Sequence, residues 1–224
     1  MSNTAHFLAL ILATIVALLP IINPLACAPV FLTITEGDSP PRRLHQLRRA
    51  CCYMVGILVS FLIGGTFIMN FFGISIPGLR IAGGLLVVGI GWKMLLGAPD
   101  REPDRVRATD EARAKPDVSF SPLAMPMLSG PGSIAATIGC ASLATRWFDY
   151  LAIIVGILAV AVASYAILRI SHRIVGVIGV NGMNAMTRIM GFLLVCIGIQ
   201  FVVNGVTAIA TDPALVQGIR NAVQ

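Results

Sequence analysis

Apolar residues run along this chain in six stretches, 6–33, 50–72, 77–97, 119–145, 148–169 and 186–210, parted by polar or charged connections. A helix needs roughly 20 apolar residues to cross the hydrocarbon core of a bilayer, and every stretch meets or approaches that length. The pattern predicts an all-α membrane protein of six transmembrane helices, with no room for a separate soluble domain. The first stretch begins near His6 with no Lys or Arg before it, so it reads as a retained span rather than a cleavable leader.

Prolines and glycines interrupt two of these stretches. The first reads LLPIINPLACAPVFLTIT, with Pro20, Pro24 and Pro29 each removing a backbone donor and crowding the turn before it. The fourth reads AMPMLSGPGSIAATI, with Pro126, Gly130, Pro131 and Gly132 at its middle. Broken helices are therefore expected in spans 1 and 4, at corresponding places in the two halves of the chain. Paired breaks of this kind are the best pointer in a sequence to a transport site.

Residues 98–118 mix both charge signs with three prolines and read as a solvated loop. This loop divides the chain into a first three-span repeat, 1–97, and a second, 119–224. The third and sixth spans align at a constant offset: Arg80 with Arg188, Ile81 with Ile189, Gly83 with Gly191, Leu85, Leu86 and Val87 with Leu193, Leu194 and Val195, and Gly97 with Gly205. Asn23-Pro24-Leu25-Ala26 is echoed by Ser121-Pro122-Leu123-Ala124. Three spans per copy force opposite orientations, so the expected architecture is two inverted three-helix repeats.

Composition agrees with lipid as the solvent: 57% of the 224 residues are hydrophobic, 12% are charged, and the mean hydropathy is +0.88. The net charge of +6 does not indicate a nucleic-acid partner, because the basic residues form no stripe with interleaved aromatics. They report topology instead. Arg42, Arg43, Arg48, Arg49, Lys93, Arg101, Arg105, Arg107, Arg113, Lys115, Arg169, Arg173 and Arg188 fall on one side, and only Arg80, Arg146 and Arg220 on the other. The positive-inside rule then places the 34–49, 98–118 and 170–185 connections in the cytoplasm and both chain ends outside.

Backbone groups freed at a break must face protein or a watery cavity, since hydrocarbon offers them no partner. Freed N–H groups and the helix N-terminus after Gly130–Gly132 suit a carboxylate, and freed carbonyls suit an ammonium group or cation. The candidate substrate-binding residues are Asn23, Pro24, Ser129, Gly130, Pro131, Gly132, Ser133 and Gln200, with Thr33 and Thr137 as further polar candidates. Any one of these side chains can instead be satisfied within its own helix or by a neighbour. The glycines of the sixth span, Gly191, Gly198 and Gly205, recur every seven residues, as Gly84 and Gly91 do on the third, and read as faces for close helix packing.

The ten acidic residues lie in loops or near span ends, which argues against a proton path relayed by carboxylates within the spans. Glu36, Asp38 and Asp149 would contribute only if the spans sit deeper. No nucleophile and base pair, zinc-protease motif or phosphate-binding loop is present, and His6, His45 and His172 are far apart in sequence, so the chain does not read as an enzyme. Cys27, Cys51, Cys52, Cys140 and Cys196 read as small buried apolar side chains without metal-ligand spacing. No cofactor is expected, and a coupling ion is left unidentified.

The runs INPLACAPVFLTIT from Ile22, FFGISIPGLRIAGGLL from Phe71, PLAMPMLSGPGSIAATI from Pro122 and TRIMGFLLVCIGIQFVVNG from Thr187 resemble, in this order, the MarC family of bacterial inner-membrane proteins, also described as neutral amino acid transporter-like. The resemblance spans nearly the whole chain. It implies six membrane helices with both termini periplasmic, and transport of small neutral amino acids such as glycine and alanine. Asn23 and Pro24 match the first family motif, and Gly130, Pro131 and Gly132 the second. Ala26 and Cys27 depart from it where Gly and a polar residue are expected, and Ser129 stands where Ala is common, which leaves the substrate open.

The resulting expectation is an inner-membrane transporter of a small solute, of the small neutral amino acid class, working by alternating access at a midplane site. Its partners are then that solute and membrane lipid, with oligomeric state open. The alternatives are a non-transporting scaffold or regulator acting through the charged loop, and a passive channel.

Overall fold

A computed structural model of the chain describes residues 3–96, 117–141, 144 and 146–212. Apart from Asp117 and Val118, the charged loop expected at 98–118 lies outside the described residues. Among the described residues the chain is helical throughout, with no strand. The helices are α1 (Asn3–Ile22), α2 (Pro24–Ile34), α3 (Pro40–Phe72), α4 (Ile76–Leu96), a π-helical segment (Ser119–Leu128), α5 (Pro131–Ala141), α6 (Trp147–Arg169) and α7 (Ser171–Ala210).

Five of these, α1, α3, α4, α6 and α7 from Asn181, are long and apolar enough to cross a membrane. The sixth candidate is the pair formed by Ser119–Leu128 and α5, which meet at 62°. Large apolar side chains stand exposed on all the long helices, among them Leu12, Phe67, Leu85, Val162 and Val206. An apolar surface this continuous belongs against lipid rather than water. Phe67, Phe71 and Phe72 cluster at the end of α3, and Trp147 and Phe148 at the start of α6.

Two helices are longer than their apolar runs. Arg42, Arg43, Arg48 and Arg49 were expected in a connection, yet α3 begins at Pro40 and has 33 residues, about 50 Å at 1.5 Å per residue. The prolines at its start suit the first turn, where an N–H has no partner anyway. Gly73 ends α3 in the left-handed region at φ 66°, its N–H reaching back to Met69 and Asn70. Most of the 170–185 connection is likewise helical. The helix is broken at Gly179, whose φ of 69° and ψ of 173° are open to glycine and strained for any other residue.

The core lies between α1, α2, α3, the π-helical segment, α5 and α6, where Leu18, Phe31, Met54, Leu58, Leu123, Leu128, Ile153 and Ile157 are fully buried. Beside it, α4 and α7 pack along the glycine faces read from the sequence. A β-carbon at Gly84 would stand 2.5 Å from the Gly198 carbonyl oxygen, and one at Gly91 would stand 2.6 Å from that of Gly191. Position rises on one helix as it falls on the other, so the two run antiparallel with their backbones in direct contact. Gly156 does the same for α6, its missing β-carbon leaving room for Thr14 of α1. Cys51 and Cys140 are buried and Cys27 half-buried, but Cys52 and Cys196 are exposed on the outer surface, against expectation.

Candidate functional site

The first break is a single residue. Pro24 disfavours the right-handed helical region for the residue before it, and Asn23 adopts the left-handed conformation instead, at φ 45° and ψ 64°. Asparagine is among the few side chains that tolerate this region. Its Oδ1 accepts a hydrogen bond from the Ala26 N–H at 3.3 Å and so caps α2, with Pro24 in the first helical position. Pro20 and Pro29, expected to break the span too, sit inside α1 and α2. Because Pro24 has no N–H, the Pro20 carbonyl loses its usual helical donor at the break.

The second break is longer than the sequence pattern suggests. Within Ser119–Leu128 the backbone leaves helical angles at Ser121 and Met125, each immediately before a proline. The Leu123 N–H donates to Val118 and the Ser129 N–H to Ala124, each five residues back. The chain then turns at Ser129 and Gly130 and starts α5 at Pro131. A β-carbon at Gly130 would stand 2.9 Å from the Pro126 carbonyl oxygen, so glycine is required by this close approach. As first groups of a helix, the N–H groups of Gly132 and Ser133 have no acceptor within α5, and both residues are buried. The Ser133 hydroxyl donates back to the Gly130 carbonyl at 2.8 Å.

The breaks meet. Gly132 packs against Ile21, two residues before Asn23, and against Val87 of α4; a β-carbon there would stand 3.3 Å from Ile21 Cγ2 and 3.1 Å from Val87 Cγ2. Each break carries one buried side-chain atom without a hydrogen-bond partner among the described residues: Asn23 Nδ2 at the first and Ser129 Oγ at the second. Asn23 is 5% exposed and Ser129 not at all. Leaving a buried donor unsatisfied costs about 1–3 kcal/mol, so such groups point to a binding role when they gather at helix breaks.

Of the sequence candidates, Asn23, Pro24, Ser129, Gly130, Gly132 and Ser133 thus line the two breaks, with Pro131 at an exposed edge of the second. Gln200 does not join them: it is exposed on α7, its Nε2 donating to Asn204 Oδ1 at 2.8 Å. Thr33 is exposed and bonds to the Pro29 carbonyl, and Thr137, though buried, bonds to the Ser133 carbonyl. Both hydroxyls are satisfied by the preceding turn of their own helices.

Asp149, placed by the sequence at a span end near a membrane surface, is 3% exposed. Its Oδ2 accepts from the Arg146 N–H at 3.0 Å and its Oδ1 lies 3.3 Å from His6 Nε2, tying the start of α6 to the start of α1. The only sequence signal was an acid three residues into a helix, the position that caps a free N–H. His6, Phe7, Ile11, Arg146, Phe148 and Asp149 line a cavity of about 630 Å³ at this end of the bundle.

A bundle of long apolar helices with a lipid-facing surface and two helix breaks packed together defines an integral membrane protein. The family model "MarC family integral membrane protein" matches residues 8–210. A Salmonella typhimurium relative named "UPF0056 inner membrane protein MarC" is 40% identical over 207 residues, covering 87% of this chain and 93% of the relative. Relatives of the same name from Citrobacter koseri and Escherichia coli are each 39% identical, with the same coverage. The chain belongs to the MarC family. No solved structure matches it.

Proposed function

We propose that this chain is a carrier of a small polar solute across the inner membrane, with small neutral amino acids of the glycine and alanine class as substrates. The observation that carries the reading is the pair of unpartnered buried groups, Asn23 Nδ2 and Ser129 Oγ, at two helix breaks that pack against one another. A zwitterion finds complementary partners there. The N–H groups of Gly132 and Ser133, at the positive end of α5, suit its carboxylate. The Pro20 carbonyl suits its ammonium group. Only a small side chain fits where Gly132 already touches Ile21 and Val87.

Alternating access follows if the two halves are inverted repeats that rock about the enclosed site. The antiparallel α4 and α7, joined by their glycines, supply a rigid seam for such a motion. The charge bias supports a cytoplasmic 34–39 connection and an outer location for the cavity beside Asp149.

Binding is tested by thermal stabilisation of the purified chain with glycine, alanine and a large amino acid such as tryptophan. The reading expects saturable stabilisation by the two small amino acids alone, lost in Asn23→Gly. Equal response to all three, or to none, would count against it.

A further inference from the structure

At the end of the bundle opposite Asp149, a second pocket of about 240 Å³ opens between the end of α2, the start of α3, and the junction of α6 and α7. Its walls are apolar, with Phe31, Leu32, Leu44 and Leu47 among them, but Arg43, Arg169 and His172 converge on it together with Ser171. Among the described residues no ion pair joins Arg43, Arg169 or His172 to a carboxylate; Asp38, the nearest acid in sequence to Arg43, pairs with Arg42 at 3.2 Å. Arg43 is held in place by a hydrogen bond from its terminal nitrogen to the Thr35 carbonyl at 3.0 Å. Its Nε is buried without a partner.

Two guanidinium groups lining one small pocket, neither paired with a carboxylate among the described residues, favour an anion between them. A guanidinium with an unused Nε–H and a neighbouring hydroxyl match the oxygens of a phosphate. At the start of α7 the Ile170 carbonyl takes the N–H groups of Arg173 and Ile174, while those of Ser171 and His172, which line the pocket, have no acceptor within the helix and can add donors to it. Arg169 ends a 23-residue apolar helix, so the pocket stands at the depth where a bilayer's headgroups begin.

We propose that this pocket is a binding site for a phosphate group, the anionic head of a membrane phospholipid or a soluble phosphate. An acyl-bearing phosphate ester would place its head against Arg43, Arg169 and His172 and its glycerol against Phe31 and Leu32. Lipid phosphate docked there would tie the half-helix α2 to α3 and α6, and so steady one end of the broken first span.

The test uses the full chain in nanodiscs of phosphatidylcholine, with phosphatidylglycerol doped in on one arm and inorganic phosphate added on the other. Bound lipid is counted by native mass spectrometry, and phosphate binding is read as a shift in thermal unfolding. The double variant Arg169→Gln, His172→Gln leaves the Arg43 to Thr35 bond in place and so protects the fold; Arg43→Gln is the second variant. The proposal expects either a retained phosphatidylglycerol or a saturable shift with phosphate, with binding weakened about tenfold or more in both variants, as loss of charge-assisted hydrogen bonds requires. Phosphatidylglycerol retention with no phosphate shift identifies the lipid as the source, and a phosphate shift alone identifies the soluble ion. Neither response in the wild-type chain, or equal responses in wild type and both variants, overturns it.

Discussion

Gly132 lies against Ile21, its missing β-carbon leaving 3.3 Å to Ile21 Cγ2, and this contact packs the two helix breaks against one another. The atoms that a larger residue would meet there are side-chain ends of Ile21 and Val87, not backbone. Gly132→Ala should therefore fold nearly as well as wild type, whereas Gly132→Leu should crowd the place proposed for substrate and abolish uptake. Uptake measured beside size-exclusion profiles separates lost function from lost fold. A Gly132→Leu chain that transports normally would place the site elsewhere.

Asn23 does two things with one side chain, and substitutions can divide them. Asn23→Asp keeps an oxygen for the Ala26 N–H but buries a carboxyl at a position only 5% exposed, a cost that outweighs the retained cap. Asn23→Gly accepts φ 45° without strain and gives up the cap at a cost of only a few tenths of a kcal/mol. Asn23→Ala loses the cap, worth about 1 kcal/mol, and adds left-handed strain of about 1–2 kcal/mol. Thermal unfolding should rank the three Gly, Ala, Asp from most to least stable, and the Gly and Ala variants should fail to bind alanine.

Ser129→Ala removes a hydroxyl that has no partner among the described residues, so stability should be unchanged or slightly raised. If that hydroxyl bonds the substrate, losing it should raise the KM for transport by about 3- to 10-fold, the value of one ordinary hydrogen bond. The measurement is uptake as a function of substrate concentration. An unchanged KM would remove Ser129 from the site.

The seam between α4 and α7 depends on direct backbone contact. Gly84→Val would force a side chain into the Gly198 carbonyl, and a loss of about 1–3 kcal/mol or more is expected from such overpacking. Gly89, five residues along α4 and on another face, has nothing within 4 Å of where its β-carbon would stand. There an Ala substitution should stabilise the helix by about 0.5–1 kcal/mol. Unfolding of both variants in detergent reads the contrast directly.

Outside the spans, Asp117 accepts hydrogen bonds from the Ser119 hydroxyl and N–H and pairs with Arg49 at 2.6 Å. The Ser119 hydroxyl bond is the largest influence holding the Asp117 carboxyl below its ordinary range, against some desolvation, with Arg49 and His45 helping. A depressed folded value means that the contribution is present above the unfolded value of about 3.9 and fades as pH falls through the folded one. Since the Asp117 side chain is 37% exposed and the pair is screened by solvent, the effect should be small, on the order of 0.5 kcal/mol. Asp117→Asn should lower the unfolding temperature slightly at neutral pH, and the difference from wild type should vanish in strong acid.

Much of this arrangement was legible before any coordinates. Residue types with one stereochemical meaning carried the information: Pro24 after Asn23 and the Gly130-Pro131-Gly132 run marked the breaks, and glycines every seventh residue marked the seam. Prolines were less decisive, since Pro20 and Pro29 are absorbed within helices whose neighbours tolerate the lost bonds. Polar side chains were harder still, because their role depends on which partner lies within reach in three dimensions. Gln200 finds Asn204 one turn along, and Thr33 finds its own backbone. Asp149 is buried because His6, over a hundred residues earlier, packs beside it. No local pattern announces such a pairing.

The most direct test of a carrier built on the two breaks is counterflow of labelled alanine in liposomes containing the purified chain, beside its Gly132→Leu variant, whose side chain would meet side-chain ends of Ile21 and Val87 rather than backbone. The account predicts saturable counterflow in the wild-type chain and none in a variant that still elutes as a folded species. Absence of counterflow for every small neutral amino acid, or undiminished counterflow in the variant, would contradict it.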